Sequence, residues 1–422
     1  MSKRVIMKWS LIALAAVVII LVVTVPVVFT FYIAGSDCKR DDFFFGVTFG
    51  AKSSSDAKVL IDKVKDYTNL LLVDSYDVSL NETTLTDICT YAVGAKLNVL
   101  PYFDFILYNV TSNVGSFYNS STWEEYGINP FHVNWLNDAQ DRWGSQFLGV
   151  YYMDEPGGNQ VDRGYWGGNN VSRSGASIRT FENVSDYSDA ANRYVSGINR
   201  TRSMQILKNT SYPNGLTRAI PVFTSDYALY WFDNKAGYDT VFAQINASTT
   251  VGRKAQQIAL CRGSANAQNK TWGVILTWTT DNSPYLASGA DMLADMKMAY
   301  DAGAKYVVVF NYPQINVYGA LNEEHFAAMR EFWNYAQANK NRIEAQADTV
   351  FVLPQDYGWG MRTPEDKIWG LWPADNSSAI IWDKMNTLIG KYGFKLDIVY
   401  DDPKFSSSAK YSTVHFWNST IG

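Results

Sequence analysis

The sequence predicts an α/β protein: a (β/α)8 TIM barrel with a small C-terminal α/β appendage and one N-terminal transmembrane helix. Eight short apolar segments alternate with helical segments between residues 43 and 340, which is the strand count of such a barrel. A doubly wound sheet would alternate in the same way, but no Gly-x-Gly-x-x-Gly turn follows a predicted strand. The strand count and this missing turn favour the barrel.

A short apolar run bounded by polar or turn residues marks each predicted strand. The strands occupy residues 43–49, 69–74, 97–105, 147–153, 219–224, 240–245, 272–278 and 305–310. Helical spacing and capping residues predict helices at residues 54–67, 83–96, 130–143, 186–208, 251–261, 288–303 and 323–339. The fifth helical position differs, because residues 227–238 predict an aromatic loop with little room for a helix.

The alternation begins again, on a smaller scale, after the barrel. Strands are predicted at residues 349–353, 395–400 and 413–417, with a helix at 378–392. We therefore expect residues 43–340 to form the barrel and residues 349–422 to form an α/β appendage packed on it. Four appendage side chains could either lean over the barrel mouth or fill the joint between the two parts: Trp359, Arg362, Trp369 and Trp372.

An unbroken apolar run, residues 9–34, follows three basic residues at the N-terminus. A bilayer is crossed by roughly 20 apolar residues, so this run predicts an uncleaved signal anchor. Residues 1–8 would then be a cytoplasmic tail, and the C-terminal domain would lie at the cell surface, with the membrane as a partner through this helix. A cleaved signal peptide is the alternative, because small residues at 34–36 suit a peptidase, and the protein would then be secreted.

The composition, 47% hydrophobic and 18% charged residues, is that of a globular chain. The net charge is -5 and no basic run lies beyond residue 8, which argues against nucleic acid as a partner. Three cysteines and three histidines are scattered along the chain, so neither a disulfide framework nor a metal site is predicted. Without a nucleotide-binding loop, no cofactor is expected either.

Asn-x-Ser/Thr sequons recur along the whole chain after the apolar run. They begin at Asn81, Asn109, Asn119, Asn170, Asn183, Asn199, Asn209, Asn246, Asn269, Asn376 and Asn418. So many sequons behind an anchor predict a glycoprotein on a cell surface. The alternative is a composition rich in Asn and Thr in which few of these sites are used.

Polar and aromatic side chains follow most of the predicted strands. In a barrel the carboxyl ends of all strands meet on one face, so these side chains should lie close together. They are Asp74, Asp104, Asp154, Glu155, Asp226, Gln244, Trp278, Asp281, Asn311 and Tyr312. Carboxylates bind hydroxyl groups and aromatic rings stack on sugar rings, so this face favours a neutral carbohydrate.

Glycoside hydrolysis requires two carboxyl groups on either side of the scissile bond. The strongest pair of acids, Asp154 and Glu155, ends the fourth strand just before a turn predicted at residues 156–158. Glu155 is the candidate general acid, and Asp154 is catalytic, structural or sugar-binding. The partner would be Asp226, Asp281 or Asp104 from another strand. The candidate substrate-binding residues are Asp104, Tyr152, Trp231, Trp278, Asn311 and Tyr312. An ordinary acidic turn is the alternative for Asp154 and Glu155.

The segment Asp154-Glu155-Pro156 resembles the Asn-Glu-Pro that ends strand four in the large retaining clan of barrel glycoside hydrolases. The resemblance covers residues 43–340 and implies that Glu155 is the acid of a sugar-handling barrel. The chain differs from that clan at two points. Asp154 stands in place of Asn, and no Glu follows the seventh strand, where the clan has its nucleophile.

Two functions follow from these observations. The first is a membrane-anchored extracellular glycoside hydrolase-like protein that acts on O-glycosidic bonds by paired carboxylates. The second is a non-catalytic glycosylated cell-surface protein that binds carbohydrate or serves as an envelope scaffold. Two carboxylates that face one another across a pocket would favour the first function. Ion pairs of the strand-end acids with Arg142, Arg163 or Arg218 would favour the second.

Overall fold

Eight parallel strands form the central sheet of the computed structural model. Along the chain the strands are β1 (Phe44–Phe49), β2 (Leu70–Val73), β3 (Asn98–Pro101), the separate antiparallel pair β4 (Leu107–Asn109) and β5 (Tyr126–Ile128), then β6 (Val150–Tyr151), β7 (Val222–Asp226), β8 (Thr240–Asn246), β9 (Thr271–Thr277) and β10 (Tyr306–Val309). The sheet order is β3-β2-β1-β10-β9-β8-β7-β6. Parallel bridges from Val99 to Phe147 and from Tyr102 to Tyr151 join its two edges, which confirms the predicted barrel.

The structure describes residues 43–103, 107–109, 126–128, 130–165, 181, 183–208, 216–280, 283, 285–340, 347–405 and 410–419. The predicted anchor and the candidate residues Asp104 and Asp281 lie outside these ranges. Within the described ranges, no helix is both long and apolar enough to cross a membrane.

Helices cover the outside of the barrel and connect its strands. They are α1 (Ser54–Val64), α2 (Tyr76–Ser79), α3 (Glu82–Gly94), α4 (Pro130–Trp143), α5 (Pro156–Arg163), α6 (Tyr187–Asn199), α7 (Arg202–Leu207), α8 (Tyr230–Ala236), α9 (Val251–Gln268), α10 (Gly289–Asp301) and α11 (Glu323–Ala338).

Three local predictions were wrong, each for a physical reason. The expected aromatic loop at residues 227–238 contains α8, because nearly all of that helix is buried and packing outweighs its weak propensity. The expected helix at 186–208 is split into α6 and α7, where the Thr201 side chain caps the start of α7. The expected turn at 156–158 is the first turn of α5, since proline suits the first position of a helix.

The interior of the barrel is filled by alternate side chains of its strands. This core consists of Phe44, Leu70, Leu72, Leu100, Tyr151, Phe223, Phe242, Ile275, Tyr306 and Val308. The ring centroids of Phe223, Phe242 and Tyr306 lie 5.4 to 5.9 Å from one another. This packing fills the interior, so the strand ends at the barrel mouth lie above a closed core.

A second, three-stranded parallel sheet follows the barrel. It consists of β11 (Thr349–Leu353), β12 (Leu396–Tyr400) and β13 (Thr413–Phe416) in the order β12-β11-β13, with α12 (Asn376–Tyr392) between β11 and β12. Residues 44–422 together form one compact unit. Trp369 of this part packs against Tyr194 and Phe232 of the barrel helices, so it fills the joint.

A buried ion pair also joins α9 to β12. The Arg262 Nε lies 2.7 Å from Asp397 Oδ1, and both side chains are almost fully buried. The guanidinium also donates to the Ala302, Phe394 and Leu396 carbonyl oxygens. These bonds satisfy both buried charges, as an ion pair in a protein interior requires.

We predict that Arg262→Ala strongly destabilises the protein, because it leaves the Asp397 carboxylate buried without a cation. Breaking a buried pair in this way costs about 3–5 kcal/mol of unfolding free energy, which chemical denaturation would measure. The more exposed pair Lys297–Glu331 supplies the control, and Lys297→Ala should cost about 1 kcal/mol or less. Equal losses in the two variants would contradict this account.

Candidate active site

The turn after β6 carries Asp154 and Glu155 at the barrel mouth. Its backbone is unusual, because Met153 and Glu155 both have a φ of 54°, in the left-handed region. Residues other than glycine adopt that region rarely, and each instance costs on the order of 1–3 kcal/mol. The turn therefore needs external contacts that hold it in place.

The end of β7 supplies several of these contacts. The Thr224 hydroxyl donates to the Met153 carbonyl oxygen over 2.6 Å. The Glu155 N–H donates to the Ser225 carbonyl oxygen over 3.0 Å. Asn159, one turn into α5, donates its side-chain amide to the Glu155 carbonyl oxygen over 2.8 Å. The three peptide groups from Met153 to Pro156 are thus each held by a hydrogen bond from β7 or α5.

Asp226 is fully buried and binds the start of α5. Its carboxylate accepts the N–H groups of Gly157 (2.6 Å), Gly158 (2.8 Å), Tyr227 (2.7 Å) and Ala228 (3.0 Å). Burial raises the pKa of Asp226 to about 7 although these amide donors oppose the shift, and the four bonds tie the residues after the turn to the end of β7. The sequence predicted Asp226 as a catalytic partner. The structure instead gives it a structural role, away from substrate.

Asp154 opens onto the mouth and is held by two hydroxyl groups. The hydroxyls of Tyr151 and Ser225 both donate to Asp154 Oδ1, the second over 2.9 Å, and lie 2.7 Å from each other. Solvent reaches the carboxylate from the mouth. The protein around it still raises the pKa of Asp154 by desolvation, and the two hydroxyl donors oppose that shift.

Glu155 is half-buried beside Asp154. The Gln244 side-chain amide at the end of β8 donates to Glu155 Oε1 over 2.8 Å and to Ser225 Oγ over 2.9 Å. Desolvation, and then the charge of Asp154, raise the pKa of Glu155 to about 7, against the hydrogen bond from Gln244. A carboxyl group that keeps its proton near neutral pH is suited to general acid catalysis.

A third carboxyl group, Asp74, ends β2 on the same face. Burial, helped by the charge of Asp154, raises the pKa of Asp74 to about 7. Tyr312 lies nearby, since a Cβ on Gly50 would be 3.7 Å from its ring and 3.3 Å from the Asp74 carbonyl oxygen. The Tyr312 ring is 55% exposed, so it is free to stack on a ligand.

Four other predicted site residues lie away from the mouth, in packing positions. The Tyr152 hydroxyl donates to Thr201 at the start of α7, and the Trp231 ring packs against Tyr400 and Phe405 of the appendage. Trp278 donates to the Phe310 carbonyl oxygen and packs on His325. Asn311 is buried and binds the backbone of the following loop. Their polar atoms are used within the protein, so these positions do not support a substrate-binding role.

The appendage reaches the edge of the site through Arg362. Its guanidinium pairs with Asp162 of α5 over 2.6 Å and with Asp366 over 2.8 Å. It also lies 5.4 Å from the centre of the Tyr227 ring, whose hydroxyl donates to Asp162 over 2.6 Å. Arg362 therefore packs against α5 and the residue that follows β7, while Trp369 fills the joint.

Neither Asp154 nor Glu155 forms an ion pair with any residue in the described ranges. Arg218, one of the cations expected to neutralise them in a scaffold, pairs with Asp141 on the exposed surface. The same ranges contain no group of three acidic, His or Cys side chains placed to hold a metal ion.

No protein-family model matches the sequence, and no curated protein matches it either. Solved structures do match. A GH5_18 structure from Streptomyces cattleya in complex with Manb1-4GlcNAc has a TM-score of 0.51 at 11% identity, covering 89% of this chain and 98% of that one. One from Bifidobacterium longum with the same ligand has a TM-score of 0.51 at 11% identity, covering 90% and 97%. The chain therefore shares its barrel fold with these two structures.

The sequence analysis missed two residues that contact the acids at the mouth and gave a third, Asp74, no role. Tyr151 and Ser225 hold Asp154, and Asp74 was noted as a strand end but not selected. The alternation of side chains along a strand could have identified Tyr151 and Ser225 from the sequence. Tyr151 and Ser225 occupy inward positions, whereas Tyr152 and Asp226 occupy outward ones.

We predict that Gly158→Ala destabilises the protein, because its Cβ would lie 2.1 Å from the Tyr227 ring, which Asp162 and Arg362 hold in place. Overpacking of this kind costs about 1–3 kcal/mol in thermal or chemical denaturation. Gly94→Ala at the end of α3 is the matched control, since nothing lies within 4 Å of its Cβ. It should be neutral or stabilise by up to about 1 kcal/mol. Wild-type stability in Gly158→Ala would refute the contact.

Proposed function

We propose that this protein is an extracellular glycoside hydrolase, anchored by residues 9–34, in which Glu155 is the general acid. The observation that carries the proposal is the half-buried Glu155 carboxyl, whose pKa is raised to about 7 beside a hydrogen-bonded Asp154. The glycoside hydrolase fold and the sugar ligands of the similar structures support it. Protonation of a leaving-group oxygen requires a carboxyl group that is still neutral at working pH.

Asp154 serves in this proposal as the negatively charged neighbour. Two hydroxyl donors stabilise its ionised form, while Glu155 retains the proton, so the two acids divide the roles. An ionised Asp154 at the mouth would stabilise the positive charge that develops on the sugar ring. Asp74, Asp104 and Asp281 are the candidates for the group that attacks the sugar or activates water.

Tyr312 is the proposed sugar platform. Its ring is exposed at the mouth and is tilted against Phe310, with centroids 5.9 Å apart. Aromatic rings in such positions contribute apolar contact area to the face of a sugar. The other two aromatic candidates, Trp231 and Trp278, contribute to packing in place of binding.

A non-catalytic carbohydrate-binding protein is the second candidate. One observation favours it: the described end of β9 and the residues after it, 277–280, carry no carboxyl group. The expected partner Asp226 is also fully bonded to backbone amides. If no second carboxyl group faces Glu155 across the bound sugar, the barrel would bind sugars without cleaving them.

The test is hydrolysis and binding across a panel of glycosides that includes Manb1-4GlcNAc. Wild type should cleave a panel member, and Glu155→Gln should lose at least about a hundredfold in kcat while still binding it. Glu331→Gln, an exposed residue on α11, is the matched control and should retain activity. Binding without cleavage in all three proteins would reject the hydrolase and support the second candidate.

The pH profile follows from the raised pKa of Glu155. The acid is protonated and active below its pKa, so kcat should fall as pH rises through about 7. With an ordinary carboxyl pKa, kcat would instead fall as pH rises through about 4 to 5. A fall of kcat at that lower pH would show that Glu155 is not the acid, or that its pKa is not raised.

A further inference from the structure

Asp226 links the helices outside the barrel to the turn that carries Glu155. We propose that Asp226 is a positioning residue, which holds Glu155 in the left-handed conformation that presents its carboxyl group to the mouth. The inference rests on the proposed function, because it assigns the support of the acid and not a second activity.

The direction of the side chain argues for this role. Ser225 points inward and hydrogen-bonds Asp154, so Asp226, the next residue of β7, points outward towards the helices. There it binds the N–H groups of Gly157 and Gly158, which follow Glu155 after a single proline. A carboxylate in that place cannot contact substrate, but it fixes the chain that leaves the turn.

Glycine makes this close approach possible. A Cβ on Gly157 would lie 2.6 Å from the Ala228 carbonyl oxygen and 2.9 Å from Asp226 Oδ2. Both distances are shorter than a normal contact, so only glycine brings the first turn of α5 this near to β7. The Asp-Glu-Pro-Gly-Gly segment and the Thr-Ser-Asp end of β7 are therefore two halves of one hydrogen-bonded unit.

A second buried acid neighbours Asp226. Asp233 on α8 is fully buried and accepts from the Tyr194 hydroxyl over 2.5 Å. Burial raises the pKa of both carboxyl groups, and the charge of Asp226 adds to the rise at Asp233. At Asp226 four amide donors oppose the shift, so they favour the ionised form that accepts their hydrogen bonds.

Several ionisable groups face Glu155 and must be separated from any positional effect. They are Asp154 on the same turn, Asp162 on α5, and Asp226 with Tyr227 at the end of β7. Each negative charge raises the pKa of Glu155. Removal of the Asp226 charge would thus lower that pKa even if the turn did not move. The test therefore also needs one variant that weakens the turn without changing any charge, and one that removes a charge without altering the contacts of the turn.

The test uses the full chain and three variants. Asp226→Asn replaces one acceptor oxygen by an NH2 group that opposes the amides. Thr224→Val removes the hydroxyl bond to the Met153 carbonyl oxygen without changing charge. Asp162→Asn removes a facing charge but leaves the contacts between β7 and the turn. The Glu155 pKa is followed by NMR of carboxyl-labelled glutamate, assigned through Glu155→Gln, and amide exchange is measured over residues 153–163 by mass spectrometry.

We expect Asp226→Asn and Thr224→Val both to lower the Glu155 pKa and to speed amide exchange of the turn by about tenfold or more. Asp162→Asn should lower the pKa alone. Unchanged exchange in Asp226→Asn and an unchanged pKa in Thr224→Val would overturn the positioning role. If Asp226→Asn does not fold, Thr224→Val decides by the same two measurements. A wild-type Glu155 that titrates at its ordinary value would instead refute the proposed function, which keeps the two failures distinct.

Discussion

The alternation of side chains along each barrel strand determines both the core and the site. Inward positions fill the interior with Tyr151, Phe223 and Phe242 and then, nearer the mouth, with polar groups such as Ser225 and Gln244. Outward positions meet the helices and become packing or supporting groups. Tyr151 belongs to both the core and the site, since its ring packs in the core and its hydroxyl donates to Asp154.

Helix α5 connects the appendage to the turn that carries Glu155. Its N-terminus is bound by Asp226, while further along Gln160 donates to the Trp369 carbonyl oxygen over 2.8 Å. Gly370, with a φ of 68°, approaches so closely that a Cβ would lie 2.1 Å from the Gln160 carbonyl oxygen. The helix that follows Glu155 is therefore clamped between the barrel and the appendage, and the acid turn cannot shift without moving both.

The sequence located most barrel elements because its apolar runs and capping residues report local structure directly. It located Asp154 and Glu155 because strand ends converge in a barrel. It failed where the outcome depends on distant neighbours. Helix α8 exists because its aromatic residues are buried between barrel and appendage, and Trp231 lies there for the same reason. The role of Asp226 depends on four amide groups, two of them some seventy residues earlier, which no spacing within β7 reveals.

The acids of the mouth also influence one another. Asp74, Asp154 and Glu155 share a partly desolvated face where no described cation pairs with them, so ionisation of one opposes ionisation of the others. Their protons are therefore lost in coupled steps. Asp154 has two hydroxyl donors and Glu155 one amide donor, and the charge of Asp154 is among the causes that raise the pKa of Glu155. The negative charge of Asp154 would stabilise a cationic sugar, and it also helps Glu155 to keep its proton.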